Sequence, residues 1–232
     1  MNSEPDPDRF MSKRVADPAK RVFWRSPFLV PAAPGQDKKE SDLDLASGVA
    51  ILLIENYQWL GKVVHVNLTS KYDCLSRLID LIVQFQSDGK IIPLGFEICL
   101  AQNEAEIAEE ILALTQELSG GQEFAVKYFD SPSTGKRKDV RMPKVLWAWT
   151  FPEARELMQT LIAAHKPSKS DAVDQLKHHP LRTKCINRTL EQLRECGRAA
   201  QAANNVEYAH RHEELHNAIE RQAREDPVLR VN

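Results

Sequence analysis

Two carboxylates lie on either side of a tight turn that the sequence predicts. Asp80 is in the segment RLIDLIVQF and Glu97 is in LGFEICLA, and Ser87-Asp88-Gly89-Lys90 lies between them. Asp-Gly between two strand-like runs is the strongest short-range signal for a two-residue β-hairpin loop. If the residues flanking Asp-Gly pair, counting back along both strands places Asp80 directly opposite Glu97. That position is a non-hydrogen-bonded pair, in which the Cα atoms are about 4.5 Å apart.

Two acids in this position predict a metal site. Like charges that face each other destabilise a sheet, so a shared proton or a cation is needed between Asp80 and Glu97. Mg²⁺ or Mn²⁺ fits, because such ions take oxygen ligands, and Mg²⁺ is commonly held by one or two carboxylates plus waters and substrate phosphates. The alternative is that both acids lie on a solvent-facing side of the sheet and point away from each other.

Composition limits the class of protein. A chain of 232 residues, 42% of them hydrophobic, can form one substantial core with smaller appendages. The formal net charge of −2 gives no global attraction to nucleic acid, so phosphate binding requires a local basic patch. No apolar run reaches the ~18 residues of a membrane span, and the acidic N-terminal segment does not resemble a secretory signal. The four cysteines lack compact disulfide spacing. We therefore expect a reduced, cytoplasmic protein with no membrane partner.

We expect three parts along the chain. Residues 1–40, rich in proline and charge, predict an extended or disordered N-terminal arm. Residues 41–165 predict a mixed α/β core, with a helix, a strand, the hairpin, a second helix and two further strands around a loop at 131–143. Residues 166–232 predict a helical extension with a break at Pro180. Its apolar stripe would pack on the core or on a second copy, which makes a homodimer through these C-terminal helices an expected assembly.

The order of these elements resembles that of the PD-(D/E)XK nuclease superfamily. The matching residues are Ile79-Asp80 for the first acid and Glu97-Ile98-Cys99 for the ExK tripeptide, within a resemblance that covers residues 44 to about 151. The resemblance implies a restriction-endonuclease-like fold, a mixed sheet flanked by helices. It also implies hydrolysis of phosphodiesters in which Asp80 and Glu97 hold Mg²⁺ and the third position orients or activates the attacking water. Metal chemistry agrees, because a bound ion lowers the pKa of its water and stabilises charge on the phosphate.

The third motif position departs from the family pattern. Cys99 stands where the family has lysine, and a thiol provides no cation for the transition state. Either another lysine reaches the site or catalysis is impaired. Lys71, Lys127 and Lys144 are the candidates by position.

A basic segment follows the second helix of the core. Lys136, Arg137, Lys138 and Arg141, with Lys144 close behind, fall in the predicted loop. Cations of this kind contact nucleic-acid backbones and supply most of the sequence-independent affinity. The alternative is a solvated loop whose charges keep the protein in solution.

A second motif, His212-Glu213-Glu214-Leu215-His216, matches the HExxH zinc pattern. Such a site needs a third protein ligand, and Glu220 would continue the same helix, unable to wrap the metal. We interpret the segment as a solvated helix.

Three hypotheses follow for the function. The first is a nuclease-like protein that binds nucleic acid and acts as a Mg²⁺-dependent hydrolase. The alternative is a catalytically inactive nuclease-fold module for binding or assembly, and a HExxH zinc metallopeptidase is the least favoured. Retention of both acids favours the first hypothesis, whereas Cys99 favours the second.

Overall fold

The computed structural model describes residues 38–61, 63, 65–70, 73–74, 77–87, 89–119, 124–131, 135–164 and 170–226. The predicted N-terminal arm lies outside the described residues except for its last three positions, which begin a helix. The helices are α1 (Lys38–Glu55), α2 (Glu104–Ser119), α3 (Phe151–Ala164), α4 (Ser170–Lys177), α5 (Pro180–Ala202) and α6 (Val206–Glu225). The strands are β1 (His65–Leu68), β2 (Leu81–Ser87), β3 (Lys90–Ala101), β4 (Phe124–Ser131), β5 (Gly135–Met142) and β6 (Lys144–Thr150).

Four strands form one mixed sheet in the order β1-β2-β3-β6. The first three are antiparallel neighbours, and β6 runs parallel to β3. The predicted hairpin register is confirmed, since Ser87 pairs with Lys90 and Leu81 with Phe96. Gly89 has a φ of +79°, which the Asp-Gly turn requires. The mixed α/β architecture predicted from the sequence is therefore confirmed.

Alternate residues of the sheet face two apolar clusters. The larger cluster receives one face of the sheet, α1 and parts of the four C-terminal helices. The smaller cluster lies on the opposite face and includes Leu146 and Ala148 of β6 together with residues of α2 and β4. By strand alternation Glu97 and Lys144 belong to this second face.

The prediction of a loop at 131–143 is wrong. Most of it is β5, which pairs antiparallel with β4 in a separate two-stranded ribbon. Lys136, Arg137, Lys138 and Arg141 all fall in β5. Main-chain pairing with the apolar strand β4 outweighs the low strand preference of the charged residues. The Arg141 side chain is exposed, and the side chains of the other three fall outside the described part of the structure.

The helical extension has two breaks, whereas the sequence predicted one. The first falls at Pro180, as expected. The second falls between α5 and α6, where Asn204 has a φ of +58° and the Asn205 side chain accepts a hydrogen bond from the Tyr208 amide. Asparagine tolerates left-handed backbone and is a favoured N-cap, so Asn204-Asn205 was the signal for this turn. No helix in the described ranges combines the length and apolarity needed to cross a membrane.

Candidate active site

Asp80 lies one residue before β2 and leaves the regular ladder. Its amide donates a 2.8 Å hydrogen bond to the Phe96 carbonyl, and the last laddered pair is Leu81 with Phe96. Asp80 is therefore not the direct cross-strand partner of Glu97 that the sequence predicted. Its carbonyl accepts a 3.0 Å hydrogen bond from the Thr69 amide, and two residues earlier Leu78 has a left-handed backbone with a φ of +52°.

The Asp80 carboxylate is held by two donors. Oδ2 accepts a 2.7 Å hydrogen bond from the Ile98 amide of β3, and Oδ1 lies 2.9 Å from the Cys74 thiol, which donates to it. The bond to Ile98 fixes the carboxylate beside the β3 segment that carries Glu97. The turn thus brings the two acids together through side-chain contacts with the backbone rather than by cross-strand pairing.

A buried lysine completes the pair of acids. The Lys144 Nζ lies 2.7 Å from Oε2 of Glu97, and the Lys144 side chain is 1% exposed whereas that of Glu97 is 24% exposed. The ammonium group also lies 4.5 Å from the centroid of the Phe124 ring and 3.4 Å from the Arg77 carbonyl oxygen. Burial of an ammonium group is costly unless it is paired, so the carboxylate and the ring offset that cost.

The parallel strand explains how Lys144 reaches Glu97. Register places Lys144 opposite Gly95 and Leu146 opposite Glu97. Lys144 therefore starts two residues behind Glu97 on the same face of the sheet, and its long side chain spans the distance. Of the three lysines that the sequence offered, Lys144 is in the site. The Lys127 main-chain amide donates a hydrogen bond to Asp73, and Lys71 lies outside the described residues.

The surroundings of Glu97 disfavour its charged form. Burial raises the pKa of Glu97 above its ordinary value, the Lys144 ammonium partly opposes this, and the charges of Asp80 and Glu110 raise it further. Glu110, on α2, is a third nearby acid that the sequence analysis missed. The one feature of the sequence that pointed to Glu110 was that α2 follows β3 directly and covers the face that carries Glu97. A carboxyl with a raised pKa, near two other acids, favours an additional cation.

A buried acid supports the segment before Asp80. Asp73 is fully buried; its Oδ2 accepts a hydrogen bond from the Ser70 hydroxyl, and its Oδ1 accepts one from the Lys127 amide of β4 at 2.7 Å. This ties the middle of β4 to Asp73, which precedes Cys74, the donor to Asp80. The ribbon is thereby fixed close to the pair of acids.

Cys99, the sequence-predicted catalytic thiol, follows Glu97 on β3 and pairs with Ala148 of β6. It is half-buried and packs against the smaller apolar cluster. Its catalytic role stays a prediction. Within the described ranges, no three side chains of His, Cys, Asp or Glu converge closely enough to hold an ion by themselves.

The HExxH segment is not the solvated helix that we predicted. His212 is fully buried, its Nδ1 lies 2.9 Å from the Tyr208 carbonyl oxygen, and burial lowers its pKa. His216, one turn later, has its Nε2 3.3 Å from Nη2 of Arg194 and lines an open groove of about 500 Å³ between α5 and α6. One histidine is thus enclosed and the other faces the groove, so the two do not converge on a common zinc position.

Comparison with known proteins adds nothing to this geometry: no family model, no curated protein and no solved structure matches the chain.

Proposed function

We propose that the chain is a nuclease-like protein that binds nucleic acid and hydrolyses phosphodiester bonds with Mg²⁺ or Mn²⁺ at Asp80 and Glu97. One observation carries the proposal. Lys144, a buried cation, contacts Glu97 beside Asp80, and so supplies the charge that Cys99 cannot provide. An acid pair can hold a metal ion that activates water, and an adjacent ammonium can stabilise the charge that develops on the phosphate.

The order of elements supports a restriction-endonuclease-like fold. A helix, a strand, a strand preceded by Asp80, a strand with Glu97, a helix and a parallel strand occur in the chain as α1, β1, β2, β3, α2 and β6. The ribbon of β4 and β5 is inserted before the last strand. Strand β5 of the ribbon ends at Met142, so only Pro143 separates it from Lys144 at the start of β6.

The residues present suit a hard divalent ion. Asp80 and Glu97 provide carboxylate oxygens, and two carboxylates with waters and substrate phosphate suffice for Mg²⁺. Such an ion lowers the pKa of a bound water and neutralises charge on the phosphate. The chain itself holds Asp80 through Ile98 and Cys74, orients Glu97 through Lys144, and keeps a fixed positive charge next to the reacting group.

The ribbon provides the surface for the nucleic acid. Lys136, Arg137, Lys138 and Arg141 occupy one strand that leads into Lys144. In the regular register of β5, positions 137 and 141 share one face of the ribbon and positions 136 and 138 the other. A chain with a net charge of −2 needs a local cluster of this kind to attract phosphates. Arg141 is the member whose exposed side chain is described.

An inactive binding or assembly module is the second candidate. Both Asp80 oxygens and Oε2 of Glu97 already have partners within the chain. If these contacts persist in the presence of metal, the acids would serve the fold, and the ribbon would bind nucleic acid without cleaving it.

The two candidates are separated by a cleavage assay. Single-stranded, duplex and branched DNA and RNA are incubated with Mg²⁺, Mn²⁺ or EDTA, using the natural chain, Asp80→Asn, Glu97→Gln and the control Glu117→Gln, an exposed acid on α2. We expect cleavage that EDTA abolishes, that each site variant lowers by on the order of 100-fold, and that Glu117→Gln leaves unchanged.

Two other outcomes have definite meanings. Cleavage that survives both site substitutions rejects this centre. Absence of cleavage, together with binding that is lost when Lys136, Arg137 and Lys138 are changed to Gln, favours the binding module.

A further inference from the structure

Leu78 combines an unfavourable backbone with an exposed apolar side chain. Its φ is +52°, a left-handed conformation that residues with a Cβ rarely adopt, and the residue is 53% exposed. The other described non-glycine residues with positive φ are Gln58, Asp139 and Asn204, all polar. The other two large exposed hydrophobic residues, Leu112 and Val206, lie in regular helices.

The neighbours of Leu78 hold this conformation in place. On one side the Arg77 carbonyl oxygen contacts the Lys144 Nζ. On the other side Ile79 is fully buried, its carbonyl accepts a hydrogen bond from the Thr69 hydroxyl, and its side chain packs over Gly95, where an added Cβ would lie 3.2 Å from Cγ2 of Ile79. Both flanks are fixed by the site, and the leucine between them is turned towards solvent.

The position of Leu78 is at the edge of the acid pair. It is one residue from the carbonyl that touches Lys144 and two residues from Asp80. The Arg77 side chain beside it is exposed as well. An exposed cation and an exposed apolar side chain are thus adjacent on the segment that leads into Asp80.

We propose that Leu78 is a wedge that inserts beside a base of a nucleic-acid duplex, with Arg77 on the adjoining phosphate. This rests on the proposed nuclease function and makes its substrate a duplex that is locally unstacked. Apolar side chains inserted between base steps unstack them and kink the duplex, and strained backbone persists where the surrounding structure over-determines it, often at functional sites. Single exposed leucines are ordinary on protein surfaces. Here the leucine is held in a strained conformation against the candidate site, which is the arrangement that a wedge requires.

The test uses Leu78→Asn, because asparagine tolerates left-handed backbone and removes the apolar group. Leu112→Asn is the matched control, since Leu112 is a leucine of similar exposure, at 57%, in a helix. A DNA duplex containing 2-aminopurine is titrated with the natural chain and each variant, with Ca²⁺ replacing Mg²⁺ to prevent cleavage. Thermal unfolding is followed in parallel.

We expect the natural chain and Leu112→Asn to raise the 2-aminopurine fluorescence, which reports unstacking. Leu78→Asn should lose that rise and bind the duplex on the order of tenfold more weakly, while its melting temperature is unchanged or higher. A purely structural role would lower the melting temperature of Leu78→Asn and leave the rise in fluorescence as it is in the natural chain.

Failure of the wedge and failure of the nuclease proposal give different results. If Leu78→Asn binds and unstacks the duplex as the natural chain does, the wedge is wrong, and the nuclease proposal stands as long as Asp80-dependent cleavage is observed. If the natural chain neither unstacks the duplex nor cleaves any substrate, both are wrong.

Discussion

Two buried cations in this molecule have very different surroundings. Arg182 of α5 is 2% exposed, and its guanidinium donates to the carbonyls of Gln58, Trp59 and Lys177 and to the Asp226 carboxylate. It ties the segment after α1, the end of α4 and the end of α6 to one another.

Lys144 is as deeply buried but far less completely hydrogen-bonded. Its ammonium has one carboxylate at 2.7 Å, a carbonyl oxygen at the long distance of 3.4 Å and an aromatic ring. Its acid, Glu97, reaches solvent and has a raised pKa.

This difference in hydrogen bonding indicates that Arg182 stabilises the fold, whereas Lys144 belongs to a candidate functional site. A guanidinium with several fixed acceptors joins segments and has nothing left to offer a ligand. An ammonium held mainly by one half-satisfied acid leaves that acid ready for another cation, and perturbed groups of this kind concentrate at functional sites.

The largest expected effect is on stability, and it divides the two cations. Arg182→Met should lower the free energy of unfolding by about 3–5 kcal/mol, because Asp226 and three carbonyls lose their partner. Lys144→Met should cost only about 1–2 kcal/mol, since Glu97 lies near solvent and already takes a proton more readily than usual. Urea denaturation measures both.

Arg198→Met is the control for these two substitutions. Arg198 is 69% exposed and pairs with Glu195 one turn away, so its loss should change the free energy of unfolding by less than about 0.5 kcal/mol. Equal costs at Arg182 and Lys144 would show that both buried cations stabilise the fold to the same extent.

A smaller effect concerns a buried group that is kept neutral. Burial lowers the pKa of His212 below its ordinary 6.5. At a pH between the lowered pKa of the folded chain and 6.5, the unfolded chain therefore binds a proton at His212 that the folded chain does not. The free energy of unfolding should therefore fall as the pH falls through that window, by up to about 1.4 kcal/mol per pH unit. Urea denaturation at pH 7.5, 6.5 and 5.5 measures the slope.

His179 is buried as well and also has a lowered pKa, so it adds to the slope. His212→Gln should make the slope shallower without abolishing it. An unchanged slope in that variant would show that His212 titrates as an ordinary exposed histidine.

Local sequence signals predicted the hairpin well. Asp-Gly fixed the turn, the turn fixed the register, and Asp80 and Glu97 came within reach of each other. What the sequence could not supply was the end of the ladder at Leu81, because it depends on the tertiary contacts that hold Asp80, from Thr69, Cys74 and Ile98.

Long-range features were harder to predict for the same physical reason. The position of Lys144 depends on the register of a parallel strand that arrives after a helix and a ribbon, and no local pattern encodes that register. The strand β5 was mistaken for a loop because its charged residues have low strand preference. His212 was taken as solvated because its burial depends on how α5 packs against α6.

Single-turnover cleavage by Lys144→Met tests whether Lys144 acts in the site, with Lys127→Met as the control for another lysine candidate and Lys144→Arg as a rescue. If Lys144 is the cation of the site, its replacement by methionine should lower the rate on the order of 100-fold. Lys127→Met should retain the rate, and arginine should restore part of it. Cleavage by Lys144→Met at the natural rate would show that Lys144 has no part in the chemistry of the site.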